Sequence, residues 1–409
     1  MPDTSYHAER FARLTELLAE WQPLWQPMPF QHRRLPWRST YPGLADTLLS
    51  LDDDACTRLQ ADPFCASPLA EHLPVAELAA LVELPELPAE GPGPPAPWAE
   101  HMGGRKWQQV AAFVPRMAAL PNVRLVEWCA GKGHLSRTLA RHLERDVTGL
   151  EWQTALCRDG EALAERQGAR VQLAQQDVLA PDAARWLTAD TQVAALHACG
   201  DLHERLIELA AERGSAVSLA PCCYHRTANA HYRPLSQQGR ELVAEHGLSL
   251  SREDLAMAVQ ETVTAPRHVR RHRERANAWR LGFDALQRQV RGRDAYLPVP
   301  SLAYGRMPDS FAGFCRWAAE RKGLTLPTDV DWHAFEQQGQ QRLAEVTRLE
   351  LVRHLFRRPL EVWLVLDRQR RLEEAGFRVE LGTFCDRELT PRNLLLRTSR
   401  HPSPDWETH

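Results

Sequence analysis

Lysine is almost missing from this chain: Lys106, Lys132 and Lys322 are the only three among 50 basic residues, so arginine carries the positive charge. A GC-rich gene produces such a bias, and it assigns no function. No apolar run approaches the roughly twenty residues of a membrane-spanning helix, which excludes a helical membrane protein. The N-terminal segment lacks both the basic stretch and the apolar core of a secretory signal, so the cytoplasm is the expected location, with no membrane partner. Nine cysteines, an odd number without regular spacing, argue against a disulfide framework. A net charge of −3 names no partner for the chain as a whole and leaves only local patches to do so.

What is present is the composition of a globular enzyme. At 409 residues, 44% hydrophobic and 25% charged, the chain has room for two domains or one with additions. The most informative stretch is 123–225. Val-Arg-Leu-Val-Glu-Trp-Cys-Ala-Gly-Lys-Gly-His (123–134) reads as a buried strand running through a tight glycine turn into a helix. Glu127 precedes the turn, Glu151 ends the next apolar run, and Asp177 ends the one after that. Lys132 is not followed by Ser or Thr, so the turn is no phosphate loop. The ordered series of acids is the pattern of an enzyme binding S-adenosylmethionine on a Rossmann-like sheet.

Strands are expected near 123–129, 146–151, 169–174, 192–197 and 215–220, and helices near 134–144, 153–166, 181–188 and 201–212. This alternation predicts an α/β fold with a mostly parallel sheet. The expected organisation is a helical N-terminal region over 1–84 and a Pro-rich linker over 85–97. A Rossmann-like methyltransferase core over 98–225 and a helical, arginine-rich insertion over 226–345 come next. The last helix and a C-terminal hairpin of the core fill 346–400, and 401–409 form a tail. The N-terminal region is either a cap on the catalytic domain or an element of substrate recognition. Because ligands bind outside the carboxyl ends of strands in open α/β sheets, an insertion after the fifth strand is expected to overhang the cofactor.

Leu-His-Ala-Cys-Gly-Asp-Leu (196–202), Ala-Pro-Cys-Cys-Tyr-His (220–225), Pro-Leu-Ser (234–236), Leu-Asp-Arg (366–368) and Leu-Thr-Pro-Arg-Asn (389–393) resemble the methyltransferase-like 25 family. The double-cysteine motif is also similar to that of eukaryotic tRNA 2′-O-methyltransferases, although the cysteine and histidine finger of those enzymes has no counterpart at this N-terminus. The resemblance covers roughly 100–235 and 355–400. It implies S-adenosylmethionine-dependent methyl transfer on a Rossmann-like fold and, by association, an RNA substrate such as tRNA or rRNA. A protein methyltransferase acting on a translation-related protein is the rival enzyme reading. A non-catalytic RNA-binding protein that keeps the cofactor as a structural ligand is the other alternative.

On this reading Glu127, Gly131, Gly133, His134, Glu151, Trp152, Asp177, Val178 and His197 form the cofactor side, with Glu151 on the ribose and Asp177 with Val178 at the adenine. His197, Cys199, Asp201, Cys223, Tyr224 and His225 follow the fourth and fifth strands and are the catalytic candidates. Tyr224 and His225 are expected to touch the substrate. Asn/Asp-Pro-Pro-aromatic is absent, which argues against base-amino methylation of that type. The cysteines and His225 admit three readings: small buried side chains, a metal site, or direct chemistry on the substrate. Adjacent Cys222 and Cys223 are poor chelate spacing, so no metal is expected. Arg105 and Lys106, then Arg270, Arg271 and Arg273 in a dense run that continues to Arg280, Arg288, Arg291 and Arg293, are the expected phosphate contacts. Asp386, Arg392 and Asn393 are expected to border the substrate pocket.

Overall fold

The computed structural model describes residues 4–260, 267–302 and 305–400. Each apolar run of the central segment becomes a strand. These are β1 (Arg124–Trp128), β2 (Val147–Glu151), β3 (Val171–Gln175), β4 (Thr191–Cys199) and β5 (Ala216–Cys222), followed by β6 (Phe377–Thr383) and β7 (Leu394–Arg400). The sheet runs in the order β3-β2-β1-β4-β5-β7-β6. All pairings from β3 to β5 are parallel, whereas β7 runs antiparallel to both β5 and β6. β6 therefore points the same way as β5, and the turn after it lies at the carboxyl end of the parallel strands. The expected Rossmann-like α/β architecture is what forms.

The helices interleave as the sequence predicts, at His134–His142, Thr154–Arg166 and Asp201–Arg213, while 181–188 tightens into the 3₁₀ turn Pro181–Trp186. Val110, Phe113 and Met117 pack with Leu125, Leu139, Phe384 and Leu395 into one buried core. The Pro-rich segment is not a free linker. Leu87 donates to the Thr383 carbonyl at 2.9 Å and Thr383 to the Pro85 carbonyl at 2.8 Å, so this segment bridges onto β6. Proline's missing N–H is tolerated there because only an edge strand is being extended.

The chain divides into two compact units along lines that differ from the expected domains. One comprises Met1–Ala19, Ala80–Glu261 and Arg357–His409, and the other Glu20–Ala79 and Thr262–Phe356. In the first, Phe11 of helix Thr4–Glu20 lies 5.4 Å from Trp363, whose indole N–H donates to Thr15 at 2.9 Å. In the second, which is helical among its described residues, the N-terminal segment and the later helices complete each other. Arg353 donates to the carbonyls of Trp25 and Gln26 at 2.6 and 2.7 Å, and Arg288 to that of Gln31 at 2.9 Å. Trp279, Phe283, Phe311 and Phe314 form that unit's own buried cluster. Among the described residues no helix is long and apolar enough to cross a membrane.

Candidate functional site

The parallel strands end in strained backbone. Cys129, His197 and Cys223 adopt positive φ of 61°, 70° and 49° although none is glycine. Each left-handed L-residue costs about 1–2 kcal/mol, and such costs cluster where ligands or chemistry are held. The three sit at the carboxyl ends of β1, β4 and β5, the edge at which open α/β sheets bind ligands. Gly131 and Gly133, also at positive φ (58° and 63°), complete the turn after β1. A Cβ added at Gly131 would meet nothing within 4 Å, so the turn borders open space that a side chain would otherwise fill.

Two acids fix this turn. Glu127 is buried, and its Oε2 accepts from the Ser136 amide at 2.7 Å and from the Ser136 hydroxyl, capping the first turn of helix His134–His142. Burial pushes its carboxyl up to about 7, against the lowering effect of the Ser136 bonds and the Lys106 and Arg137 charges. Glu151 accepts from the Gly131 amide and from the Gln153 amide, both at 3.0 Å. An ionised carboxylate has about four acceptor positions, so a ligand still finds two. Lys132 is drawn away by a 2.7 Å ion pair with Asp159. His134 bonds Arg137 at 2.8 Å, and burial lowers its imidazole to about 4, so it is neutral at ordinary pH.

Two apolar side chains stand exposed after β2 and β3. Trp152 is 66% exposed and Leu179 48%, two of only four large hydrophobic side chains exposed among the described residues. Val178, next to Leu179 in the chain, is buried, and exposed Asp177 accepts from the Leu179 amide at 3.0 Å. Sequence reading missed Leu179, because one leucine after an acid carries no signal until its exposure is known.

On the other side of β1, His197 Nε2 donates to Gln109 Oε1 at 2.5 Å. Burial, then the charges of Arg392 and Lys106, hold its imidazole down to about 4. Gln109 is a second residue that sequence reading missed; it looks like an ordinary polar helix position until its burial is seen. Asp201 accepts from the Ala228 amide at 2.8 Å and so ties down the loop after β5. Three sulfurs converge: those of Cys199, Cys222 and Cys223 all lie within 4.8 Å of one another, and Cys199 and Cys222 are 3.5 Å apart. The Cys223 thiol is held far below the usual range by its bonds with Cys199 and Cys222, then by His225 and Arg392. Cys222 is driven up by the same sulfur bonds. Cys199 rises too, its bond with Cys222 outweighed by the bond to Cys223 and by burial.

Residues 105–230 match the protein family described as a methyltransferase domain. This segment is a methyltransferase domain. Its methyl donor is S-adenosylmethionine. Solved structures similar to the chain include TehB from Haemophilus influenzae (15% identity, TM-score 0.21), over 24% of this chain and 36% of that one. Precorrin-6y C5,15-methyltransferase from Geobacter metallireducens GS-15 matches at 14% identity and TM-score 0.24, over 34% and 71% of the respective chains. Geranyl diphosphate C-methyltransferase from Streptomyces coelicolor A3(2) matches at 15% identity and TM-score 0.24, over 38% and 65%. The chain thus spans about a third of TehB's length and under two thirds of the Streptomyces enzyme's.

Several expected site residues of the methyltransferase domain and its flanks do other work. Tyr224 is fully buried, 5.6 Å from His203 and with the Arg368 guanidinium 5.0 Å over its ring, so it does not reach a substrate. The left-handed turn at Cys223 rotates it into the core. Asn393 is buried too, donating to the Cys385 carbonyl at 2.8 Å and accepting from Arg358 at 3.2 Å; it closes the β6–β7 turn instead of lining a pocket. Arg105 donates to the Leu389 carbonyl at 2.8 Å, holding that turn from the methyltransferase domain's first helix, and Trp107 beside it faces inward. Lys106 and Asp386 are exposed, and His225 is half-buried with Nδ1 unpartnered. Arg392 is half-buried, its Nε out of solvent with no hydrogen-bond partner.

Helix Arg267–Arg291 divides the basic run in two. Arg270, Arg271 and Arg273 are exposed. Arg288 instead pairs with buried Asp284 at 2.8 Å, Arg291 bonds Gln287 at 2.6 Å, and Arg280 donates to the Pro300 carbonyl at 3.2 Å. Those three arginines build their own unit, so the phosphate reading narrows to the helix's first turns and to Arg293, which is exposed beyond its end.

Proposed function

We propose that this chain methylates RNA, tRNA or rRNA, and belongs with the methyltransferase-like 25 proteins. The observation that carries the RNA reading is the exposed trio Arg270, Arg271 and Arg273 within four residues of a chain whose net charge is only −3. Local cationic density of this kind is what phosphate neutralisation requires. Arg392 supports it, since a buried guanidinium nitrogen without an acceptor favours an anionic group nearby.

S-adenosylmethionine, when bound, supplies a methyl group already activated for displacement. The chain's part is to align the two partners and to exclude water. Gly131 and Gly133 give the backbone access, and the His134 and Leu135 amides, ahead of the Ser136 amide that Glu127 takes, suit a carboxylate. Glu151 takes the ribose hydroxyls. Trp152, Leu179 and Val178 border the adenine with Asp177, and Glu127 holds the turn in shape. His197, kept neutral and oriented by Gln109, faces the acceptor with His225 and Arg392.

Tritiated-methyl transfer into RNA and protein fractions from cells lacking the gene tests this reading. Label is expected in a discrete RNA species. Label in protein alone would replace RNA by a protein substrate, and no label despite cofactor binding would make the chain a silent binder.

A further inference from the structure

Cys199 ends β4 and Cys222 ends β5, and the parallel register sets them side by side. Cys223 should not join them, because successive side chains of an extended strand point to opposite faces. It does so through its left-handed backbone, with φ of 49°, a conformation that costs a non-glycine residue about 1–2 kcal/mol. On β4 the register shifts between Leu196 and Cys199, with His197 left-handed at 70°. Each strand thus carries one irregularity, and together they aim three sulfurs at one point. Adjacent cysteines chelate poorly by themselves, but here the fold sets Cys199 beside them as a third sulfur.

The distances suit an ion. Zinc–sulfur bonds of about 2.3 Å at tetrahedral angles put two sulfurs about 3.8 Å apart. Here one pair is 3.5 Å apart and all three lie within 4.8 Å. Cys222 is buried while Cys199 and Cys223 are half-buried, so the cluster is neither sealed in the core nor loose on the surface. Three soft donors without a carboxylate among them exclude magnesium and calcium as preferred occupants.

We propose that Cys199, Cys222 and Cys223 bind one zinc ion. Binding exchanges the thiol protons for the ion, with no change of oxidation state. Three thiolates leave the fourth tetrahedral position to an exchangeable ligand, beside the residues proposed to face the acceptor. The ion would pin the ends of β4 and β5 together. The inference stands apart from the RNA reading, because metal content is measured without substrate.

The full chain, purified under reducing conditions from zinc-supplied cells, is expected to carry about one zinc per chain by elemental analysis. After chelation, cobalt(II) should give an intense thiolate-to-metal band in the near ultraviolet that added zinc abolishes. Cys199→Ser and Cys223→Ser should each weaken the ion by at least roughly a hundredfold, the upper end of what losing an outer-shell partner costs. Cys65→Ser, at an exposed cysteine outside the cluster, should leave it unchanged. Wild-type protein without zinc and without a cobalt band would overturn the proposal, whatever the variants do. So would a Cys199–Cys222 disulfide in metal-free protein, which would assign the pair to redox chemistry.

Discussion

Two carboxylates one strand apart illustrate how position divides labour between similar residues. Glu127 holds its proton in the folded chain up to about pH 7, against about 4.5 for the free group. Between those values the folded chain binds more protons than the unfolded one, so this group's contribution to stability falls as pH rises. Glu127→Gln removes the titration while keeping an acceptor for Ser136. Its unfolding free energy relative to wild type should therefore rise by about 3 kcal/mol from pH 4.5 to 7. Urea melts at pH 5 and pH 8 read this; a constant difference would mean that Glu127 ionises normally. Glu151 is as buried as Glu127 (6% against 5%), but the two amides it accepts from leave part of its acceptor capacity unfilled, and a hydrogen bond to a charged acceptor is worth about 1.5–3 kcal/mol. Glu151→Ala should weaken S-adenosylmethionine roughly ten- to a hundredfold by calorimetry, and equal affinity in a folded variant would remove it from the cofactor side. The sequence exposed both acids, Glu127 because it precedes the glycine turn and Glu151 because it ends an apolar run. It could not expose Tyr224 or Asn393 as core residues, since the turn that rotates Tyr224 inward depends on one positive φ at a cysteine.

Elements were more legible than residues, for a physical reason. Strands buried on both faces read as continuous apolar runs, and those at 124–128, 147–151 and 216–222 stand within two residues of expectation. What periodicity does not reveal is how elements meet, as the ends of helix Asp201–Arg213 show. Gly200 and Gly214 flank it, both at positive φ (51° and 70°). A Cβ at Gly214 would meet open space, whereas one at Gly200 would lie 1.9 Å from the Arg226 carbonyl oxygen. Gly214→Ala should cost about 1 kcal/mol. Gly200→Ala should cost about 3 kcal/mol and displace the loop after β5, seen as faster amide exchange at Asp201, which donates to Arg226. Equal costs at the two ends would mean that the loop yields freely.

At the scale of the whole molecule, the division into units was the least visible part, because nothing local says that Glu20–Ala79 folds with residues some two hundred positions later. A charge prediction belongs here. Replacing Arg270, Arg271 and Arg273 together should reduce the slope of log affinity for RNA against log salt by about 2–3 and leave S-adenosylmethionine affinity unchanged. An unaltered slope would clear the trio of phosphate contact. The strand order also bears on how the protein is made. β5 ends at Cys222, yet its neighbour β7 begins only at Leu394. At about 5–20 residues per second the ribosome needs roughly 10–35 s to deliver that partner. Throughout that time β5 offers a bare row of amides and carbonyls to any other chain. The nascent protein therefore passes through an obligatory sticky interval, and slowing elongation across the helices encoded between the two strands should lower the yield of native enzyme more than slowing it anywhere upstream.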